Sequence, residues 1–479
     1  MLSQRGTAKR AAGIFIQTSA LNSRTVDITA LTRNNIFAIP AGDFWDIKED
    51  RVYIIYSPLN GRITLAAPES VRKLEQCAAG GGGEEAEKNV LSAFQAKGSV
   101  PVHRLPASPH DLYQIDILAN YTCNFKCIYC YSAAGRSNQE VEFDKIKAVA
   151  DYLFRSGKQQ SSPYIINFSG GGEPLMSFGL IRRTVEYIKE INRGKNYLYN
   201  IGLVTNGSLI TPEIVDWLKA EKVDMAVSFE ILEHLQNKER GSYERVAANL
   251  DMMLEKEYPF GIRTTFTPES VSFMCDMIEE LDRRFPKLKK VVFDTVLAPS
   301  LFPEPSDLER YYDTFLTEYY RAKKLGAEKG ILVESVATET LSLIRDRTCE
   351  GKIVLTPSGT ISCCARVSSP REALYDDYIF GKAEDGKLVF DEDRFRTIMA
   401  DSNIYSQPRC ADCYARWNCG GGCRLFHNLF SKEYEDIRCN FVRKALKREL
   451  HAVLSANFRK STGKDLGDYV REKIRHNEL

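Results

Sequence analysis

Between residues 113 and about 330, short apolar runs alternate with longer amphipathic stretches. The runs at 114–118, 164–168, 199–204, 224–229, 261–267 and 290–295 have strand length and are rich in Ile, Val, Phe and Tyr. The stretches at 143–155, 178–192, 211–221, 243–257 and 270–284 carry apolar residues at helical spacing. Strand and helix in alternation predict an α/β fold with a parallel sheet curled into a barrel or part of one. In (β/α) barrels the chemistry sits at the C-terminal ends of the strands, which directs attention to the loops after each run.

The N-terminal pattern is different. Short runs at 44–47, 51–56 and 62–65 predict a small antiparallel sheet, and Asn60-Gly61 between the last two is a hairpin signal because both residues tolerate positive φ. Pro68 can open a helix with Val71, Leu74 and Cys77 on one face. The glycines at 80–83 end it, and a second amphipathic stretch follows over 84–97.

At 479 residues the chain is long enough for two or three domains. Lys plus Arg is 65 against Asp plus Glu at 64, so electrostatics gives no reason to expect nucleic acid or an anionic membrane as partner. Arg5, Lys9 and Arg10 are not followed by an apolar run of signal-peptide length, and no stretch of 18 apolar residues exists. A cytoplasmic protein is expected, and its thirteen cysteines then point to metal or redox chemistry rather than disulfides. Three lie at 123, 127 and 130, eight lie from Cys349 to Cys439, and Cys77 and Cys275 stand apart.

Cys123-Asn124-Phe125-Lys126-Cys127-Ile128-Tyr129-Cys130 follows the first predicted strand. Three thiolates in one loop leave the fourth iron of a cubic [4Fe-4S] cluster open to a reactive ligand. A structural zinc site or a disulfide knot would also use such cysteines, but a zinc site closes with a fourth ligand, and before Cys349 only the isolated His234 and Cys275 follow. The CxxxCxxC spacing resembles that of the radical S-adenosylmethionine (SAM) enzymes. That resemblance implies a cluster on Cys123, Cys127 and Cys130 whose open iron binds SAM, and an electron from the cluster that cleaves SAM to a 5′-deoxyadenosyl radical.

The strand ends carry further likeness. Gly170-Gly171-Gly172-Glu173-Pro174 resembles the family's GGEP motif, which bonds the SAM amino group; by itself it is an ordinary glycine-rich strand-to-helix turn. Thr205-Asn206-Gly207 is similar to the TNG segment. Ser228-Phe229-Glu230 stands where the family has Ser-x-Asp-Gly, with glutamate in place of aspartate and Ile231 in place of glycine. Arg263 on the fifth strand suits the SAM carboxylate as a bidentate partner, and a barrel salt bridge explains it about as well. The resemblance thus implies SAM contacts from Tyr129, Gly171, Gly172, Glu173, Asn206, Ser228 and Arg263, with Tyr129 beside the adenine. No catalytic acid or base is identified beyond the cluster.

The C-terminal cysteines run Cys349, nine residues to Gly359, four to Cys364, then Cys410-x2-Cys413-x5-Cys419-x3-Cys423 and Cys439. Soft thiolates at such intervals suit zinc or iron-sulfur clusters. The spacing resembles the seven-cysteine SPASM pattern, which implies two auxiliary [4Fe-4S] clusters beside the SAM cluster. Auxiliary cluster I would take Cys349, Cys364 and Cys423, and auxiliary cluster II would take Cys410, Cys413, Cys419 and Cys439. The fourth ligand of cluster I is missing from the pattern: the adjacent Cys363 could supply it, or the iron stays open to solvent or a substrate thiolate.

Three regions are expected: 1–105, winged-helix-like and resembling the leader-peptide-recognition domains of peptide-modifying enzymes, although a plain cap on the barrel fits nearly as well; 106–335, a partial (β/α)6 TIM-like radical SAM barrel; and 336–479, a SPASM domain ending in a helix. Among SPASM enzymes the main choices are maturation of ribosomally made peptides and sulfatase maturation. The latter enzymes carry an aspartate base directly after the cysteine of the Gly-x4-Cys unit, where this chain has Ala365. The expected function is therefore a peptide maturase forming a thioether or carbon-carbon crosslink, with a leader-bearing precursor peptide and a flavodoxin or ferredoxin as partners. A sulfatase-maturing formylglycine synthase is the enzymatic alternative, and an iron-sulfur electron carrier or zinc scaffold the non-enzymatic one.

Overall fold

The computed structural model describes residues 27–95, 102, 105–155 and 162–476. Arg5, Lys9 and Arg10 lie outside the described residues, as does the end of the 84–97 stretch. The N-terminal sheet is β1 (Phe37–Pro40), β2 (Tyr53–Ser57) and β3 (Arg62–Ala66), antiparallel in the order β1-β2-β3. The expected run at 44–47 is not a strand. Gly42–Trp45 is a 3-10 turn, because Gly42 packs so tightly on Lys48 that a Cβ would lie 2.0 Å from its carbonyl oxygen, and Asp46 takes φ 57°. The aromatic pair that looked like a strand is an anchor instead, with Phe44 stacked on His451 at 4.0 Å between ring centroids.

Every β2 residue is buried, because the small sheet is covered on both faces. Ala38, Tyr53, Ile55 and Ala66 meet Leu31, Val71, Leu74, Leu91 and Phe94 of its own helices, which include Pro68–Ala78 and Glu85–Phe94. Phe37, Ile39, Ile54, Tyr56, Ile63 and Leu65 instead join the main core of the molecule. Tyr56 donates to Asn418 Oδ1 at 3.0 Å, and Asn418 Nδ2 donates to the Leu341 carbonyl at 2.7 Å, tying the sheet to the cysteine-rich region.

All six expected barrel strands form: β4 (Gln114–Ile117), β5 (Tyr164–Phe168), β6 (Tyr199–Thr205), β7 (Asp224–Ser228), β8 (Phe260–Phe266) and β9 (Lys290–Thr295). They pair in parallel in chain order. Two short parallel strands flank them, β10 (Leu332–Glu334) beside β9 and β11 (Ile353–Leu355) beside β4. The sheet then runs on through antiparallel β12 (Thr360–Ser362), β13 (Ile379–Glu384) and β14 (Lys387–Phe390), giving eleven strands in one sheet.

Alternation fixes the two faces. Ile115, Ile117 and Ile166 point outward against Val149, Ala150, Leu153 and Ile188 of the helices Phe143–Leu153 and Phe178–Ile191. Asp116, Asn167 and Gly202 lie side by side in register on the inner face. Gly202 is small for a reason: a Cβ there would come within 2.4 Å of Asn167 Oδ1. No helix among the described residues is long and apolar enough to cross a membrane.

Asn418→Ala removes two buried hydrogen bonds between the N-terminal sheet, residue 341 and the cysteine-rich region. We expect a loss of about 2–3 kcal/mol, read as a lower urea midpoint than wild type at unchanged slope.

Candidate cluster and cofactor site

The segment after β4 closes on itself. Tyr121 N–H donates to the Gln139 carbonyl at 3.0 Å and Val141 N–H to that of Ala119 at 2.9 Å. Cys123, Cys127 and Cys130, all half-buried, sit in the loop that this neck defines. The glycine segment after β5 lies flat against the neck. Gly172 N–H donates to the Asn120 carbonyl and Glu173 N–H to that of Thr122, both at 2.8 Å. A Cβ on Gly172 would stand 1.9 Å from the Thr122 carbonyl oxygen, so only glycine permits the approach. Gly171 turns the chain at φ 68°.

The Glu173 side chain is engaged inside the protein. Its carboxylate accepts from Thr205 Oγ1 at 2.6 Å, Asn206 N–H at 2.7 Å and Leu175 N–H at 3.0 Å. Burial raises its pKa against the pull of these donors. It thereby clamps the end of β5 to the end of β6, leaving backbone groups to face a ligand. Asn206 carries the link onward: its Nδ2 donates to Asn124 Oδ1 at 2.9 Å and lies 4.0 Å from Cys123 Sγ.

At the end of β7, Ser228 is half-buried and in register with Arg263 of β8. Glu230 is fully buried. It accepts from the Tyr129 hydroxyl and, at 3.3 Å, from Thr265 N–H, while Arg240 stands 3.8 Å away and donates to Tyr129 Oη at 3.0 Å. Burial raises the Glu230 pKa to about 7 even though Arg240 pulls it down. The glutamate is thus the support that holds Tyr129 under the cysteine loop. Ile231, where the family has glycine, keeps the left-handed turn at φ 62°. A β-branched residue there carries strain of about 1–2 kcal/mol. Arg263 is engaged by Asp294 of β9 at 2.5 Å, the barrel salt bridge that the sequence left open.

In the C-terminal region, Cys410, Cys413, Cys419 and Cys439 line one small cavity together with Arg409, His427, Glu435 and Arg438. Burial, and then the neighbouring thiolates Cys413, Cys419 and Cys439, push the Cys410 thiol up to about 12. Cys364 is pushed up to about 11 by burial, with Cys423 and Cys349 adding to it. Cys364 thus lies within electrostatic reach of Cys349 and Cys423, and Cys363 within reach of Cys349 and Cys364. Cys363 is 5% exposed and packed in the core, and burial raises its thiol strongly.

Thiols that repel one another as thiolates are a donor set that a bound metal neutralises by displacing their protons. Among the described residues no three His, Cys, Asp or Glu groups converge tightly enough to hold a single metal ion. A cubic cluster sets its cysteines farther apart than one tetrahedral ion does, since each sulfur binds a different iron. The residues fit iron-sulfur clusters on these terms.

Residues 117–281 match the family described as the Radical SAM superfamily. This stretch is a radical SAM domain. The chain is 31% identical over 164 residues to the uncharacterized protein MJ0907 of Methanocaldococcus jannaschii, a match over 33% of this chain that spans about half, 54%, of that protein. It is 21% identical over 380 residues to the radical SAM cyclopropyl synthase TigE of Paramaledivibacter caminithermalis, over 73% of this chain and 75% of that one. Among solved structures, anSMEcpe with bound AdoMet shares the fold with a TM-score of 0.57 at 16% identity, over 71% of this chain and 98% of that chain.

Sequence reasoning missed three groups around the radical SAM domain. Asp116 on the inner face of β4 accepts from Asn167 Nδ2 at 3.1 Å and pairs with Lys352 from the start of β11. Burial works against the Lys352 charge, but Asp116 outweighs it and raises the pKa. An acid in the middle of an Ile-Asp-Ile strand was a visible signal for this pair. Tyr131, 43% exposed, lies within electrostatic reach of Cys130, Cys364, Arg366 and Lys352. Arg136 donates from Nη2 to Cys130 Sγ at 3.1 Å, and no motif marks it.

A carboxyl pKa raised on folding favours the native state below its unfolded value and costs stability as pH rises through its folded value. For Glu230 that window runs from about 4.5 to about 7. Glu230→Gln should gain on wild type by roughly 3 kcal/mol across it, whatever constant offset the loss of the Arg240 partner adds. Denaturation of both proteins at pH 4.5, 6 and 7.5 checks this.

Proposed function

We propose that the chain is a radical SAM peptide maturase that abstracts hydrogen from a ribosomal precursor peptide and forms a thioether or carbon-carbon crosslink. The observation that carries this reading is the position of Tyr131, which belongs to the cysteine loop yet has Arg366 over its ring at 5.2 Å, two residues after Cys364. The loop of the radical SAM domain thus meets the segment that carries Cys364, and a substrate would lie where the two meet.

When bound at Cys123, Cys127 and Cys130, a reduced [4Fe-4S] cluster supplies the electron that breaks SAM and yields the radical that takes a hydrogen atom. The chain's own residues do the rest. Gly171 and Gly172 present backbone to SAM, Glu173 and Asn206 fix the strand ends around it, and Tyr129, braced by Glu230 and Arg240, lines the adenine side. Ser228 and Arg263 lie toward its ribose and carboxylate, Arg263 after release from Asp294. Cys349, Cys364 and Cys423 would hold one auxiliary cluster, and Cys410, Cys413, Cys419 and Cys439 the other. The first set has a fourth position, which Cys363 or a substrate thiolate would fill. A flavodoxin or ferredoxin would deliver the low-potential electrons.

Two features favour a peptide over a sulfatase as substrate. Ala365 occupies the place of the sulfatase-maturing aspartate. A Cβ on Gly170 would lie 3.4 Å from the Ala365 methyl and from Tyr131 Oη, so Ala365 stands beside the cysteine loop and brings no carboxylate there. The small sheet of β1, β2 and β3 with its helices supports the winged-helix-like reading, in which a leader peptide adds as a strand beside the 53–66 hairpin.

Anaerobically reconstituted protein with dithionite and SAM should release 5′-deoxyadenosine, and Cys127→Ala should lower that release at least a hundredfold. Release from the variant at the wild-type rate would refute the assignment. Adding the precursor's leader should slow amide hydrogen exchange over residues 62–66; exchange there that ignores the leader would remove the docking part.

A further inference from the structure

Arg136 lies six residues past Cys130 and folds back onto it, with Nη2 donating to the sulfur at 3.1 Å. Its Nη1 is buried and has no hydrogen-bond partner. No carboxylate among the described residues forms an ion pair with this half-buried guanidinium, although Glu173 lies within electrostatic reach of it. A buried N–H without an acceptor has lost its hydration with no replacement, so Nη1 is left facing a place for an acceptor that the polypeptide does not supply.

The position is built from the C-terminal region. Arg371 Nη1 donates to the Arg136 carbonyl at 2.8 Å. Gly135 fits against Ser369 so closely that a Cβ would lie 2.8 Å from the serine Cβ. The Ser369 segment is itself fixed, because Ser368 N–H and Ser369 N–H both donate to Glu372 Oε2, at 2.6 and 3.1 Å, and Tyr121 donates to the Ser368 carbonyl at 2.5 Å.

We propose that Arg136 sets the reduction potential of the cluster held by Cys123, Cys127 and Cys130, with the 368–372 segment holding the guanidinium in place. This rests on the reading of that loop as a cluster site. A charge-assisted N–H···S bond stabilises the reduced, more negative state of a cluster more than the oxidised one, and hydrogen bonds to sulfur are a lever on iron-sulfur potentials. The second, unpartnered N–H gives the same cation a further donor for the anionic cluster. Arg136 is therefore a tuning and positioning residue, not one that touches substrate.

The test is an EPR-monitored redox titration of the anaerobically reconstituted full chain, following the signal that changes when SAM is added and that Cys127→Ala abolishes. Iron and sulfide are counted in each protein. In Arg136→Gln the ratio of reduced to oxidised cluster at a fixed potential should fall about tenfold, 59 mV for a one-electron couple, at unchanged iron content. Arg136→Lys, which keeps the charge but not the fork, should fall less. A glutamine variant with the wild-type midpoint at equal iron would overturn the proposal. So would one that loses this cluster while keeping the others, since that marks a role in assembly. A wild-type protein with no SAM-responsive signal would refute the cluster reading itself, and this proposal with it.

Discussion

The pairing of β11 with β4 is the contact on which the arrangement of the molecule depends. Ile353, Val354 and Leu355 lie in parallel register with Ile115, Asp116 and Ile117. β4 feeds the cysteine loop, and β11 lies between Cys349 and Cys364. By this register Cys349, which precedes β11, lies at the start of β4, where Tyr113 donates to Glu350 at 2.6 Å, while the segment after β12 returns to the cysteine loop at the other end, where Tyr121 donates to the Ser368 carbonyl. The Asp116–Lys352 ion pair sits on the inner face of this junction and locks its register, since a slip of one residue would turn the acid toward the apolar helices.

Around the mouth of the barrel, the polar residues mostly hold one another. Glu173 binds the end of β6, Asn206 binds the cysteine loop, Glu230 binds Tyr129, and Asp294 binds Arg263. Two of these links join neighbouring strands, and two tie the ends of β6 and β7 to the cysteine loop. Such a ring of satisfied side chains preorganises the backbone that surrounds a cofactor, so that little reorganisation remains when one binds. The strained turn at Ile231 belongs to this ring and is tolerated because Phe229 and Ile231 on either side of Glu230 are fully buried.

Much of this was legible in the sequence. The six barrel strands and their helices were readable because each has a sustained period and a clear length. The cysteine loop and the glycine turn were readable because their chemistry depends on local spacing. What stayed hidden depends on contacts between distant segments. Phe44 and Trp45 have the composition of a strand, but the tight approach of Gly42 to Lys48 forces a turn, and the true edge strand at 37–40 is too short to stand out. β10 and β11 are three residues each, below the length at which a pattern separates from chance. Arg263 fitted two partners on paper, and only the fold places Asp294 next to it. Arg136 could not be found from spacing, because its meaning comes from a sulfur six residues back and a carbonyl clamp from residue 371.

One sheet runs without a break from β10 through the barrel into β14. Among the described residues the parallel barrel strands and the antiparallel strands after Cys349 are therefore joined by one continuous ladder of backbone hydrogen bonds. Strands paired in this way do not slide past one another, so the barrel and its extension act as a single plate. Any adjustment that a bound molecule asks of the site falls to the loops at the strand ends and to the side chains they carry.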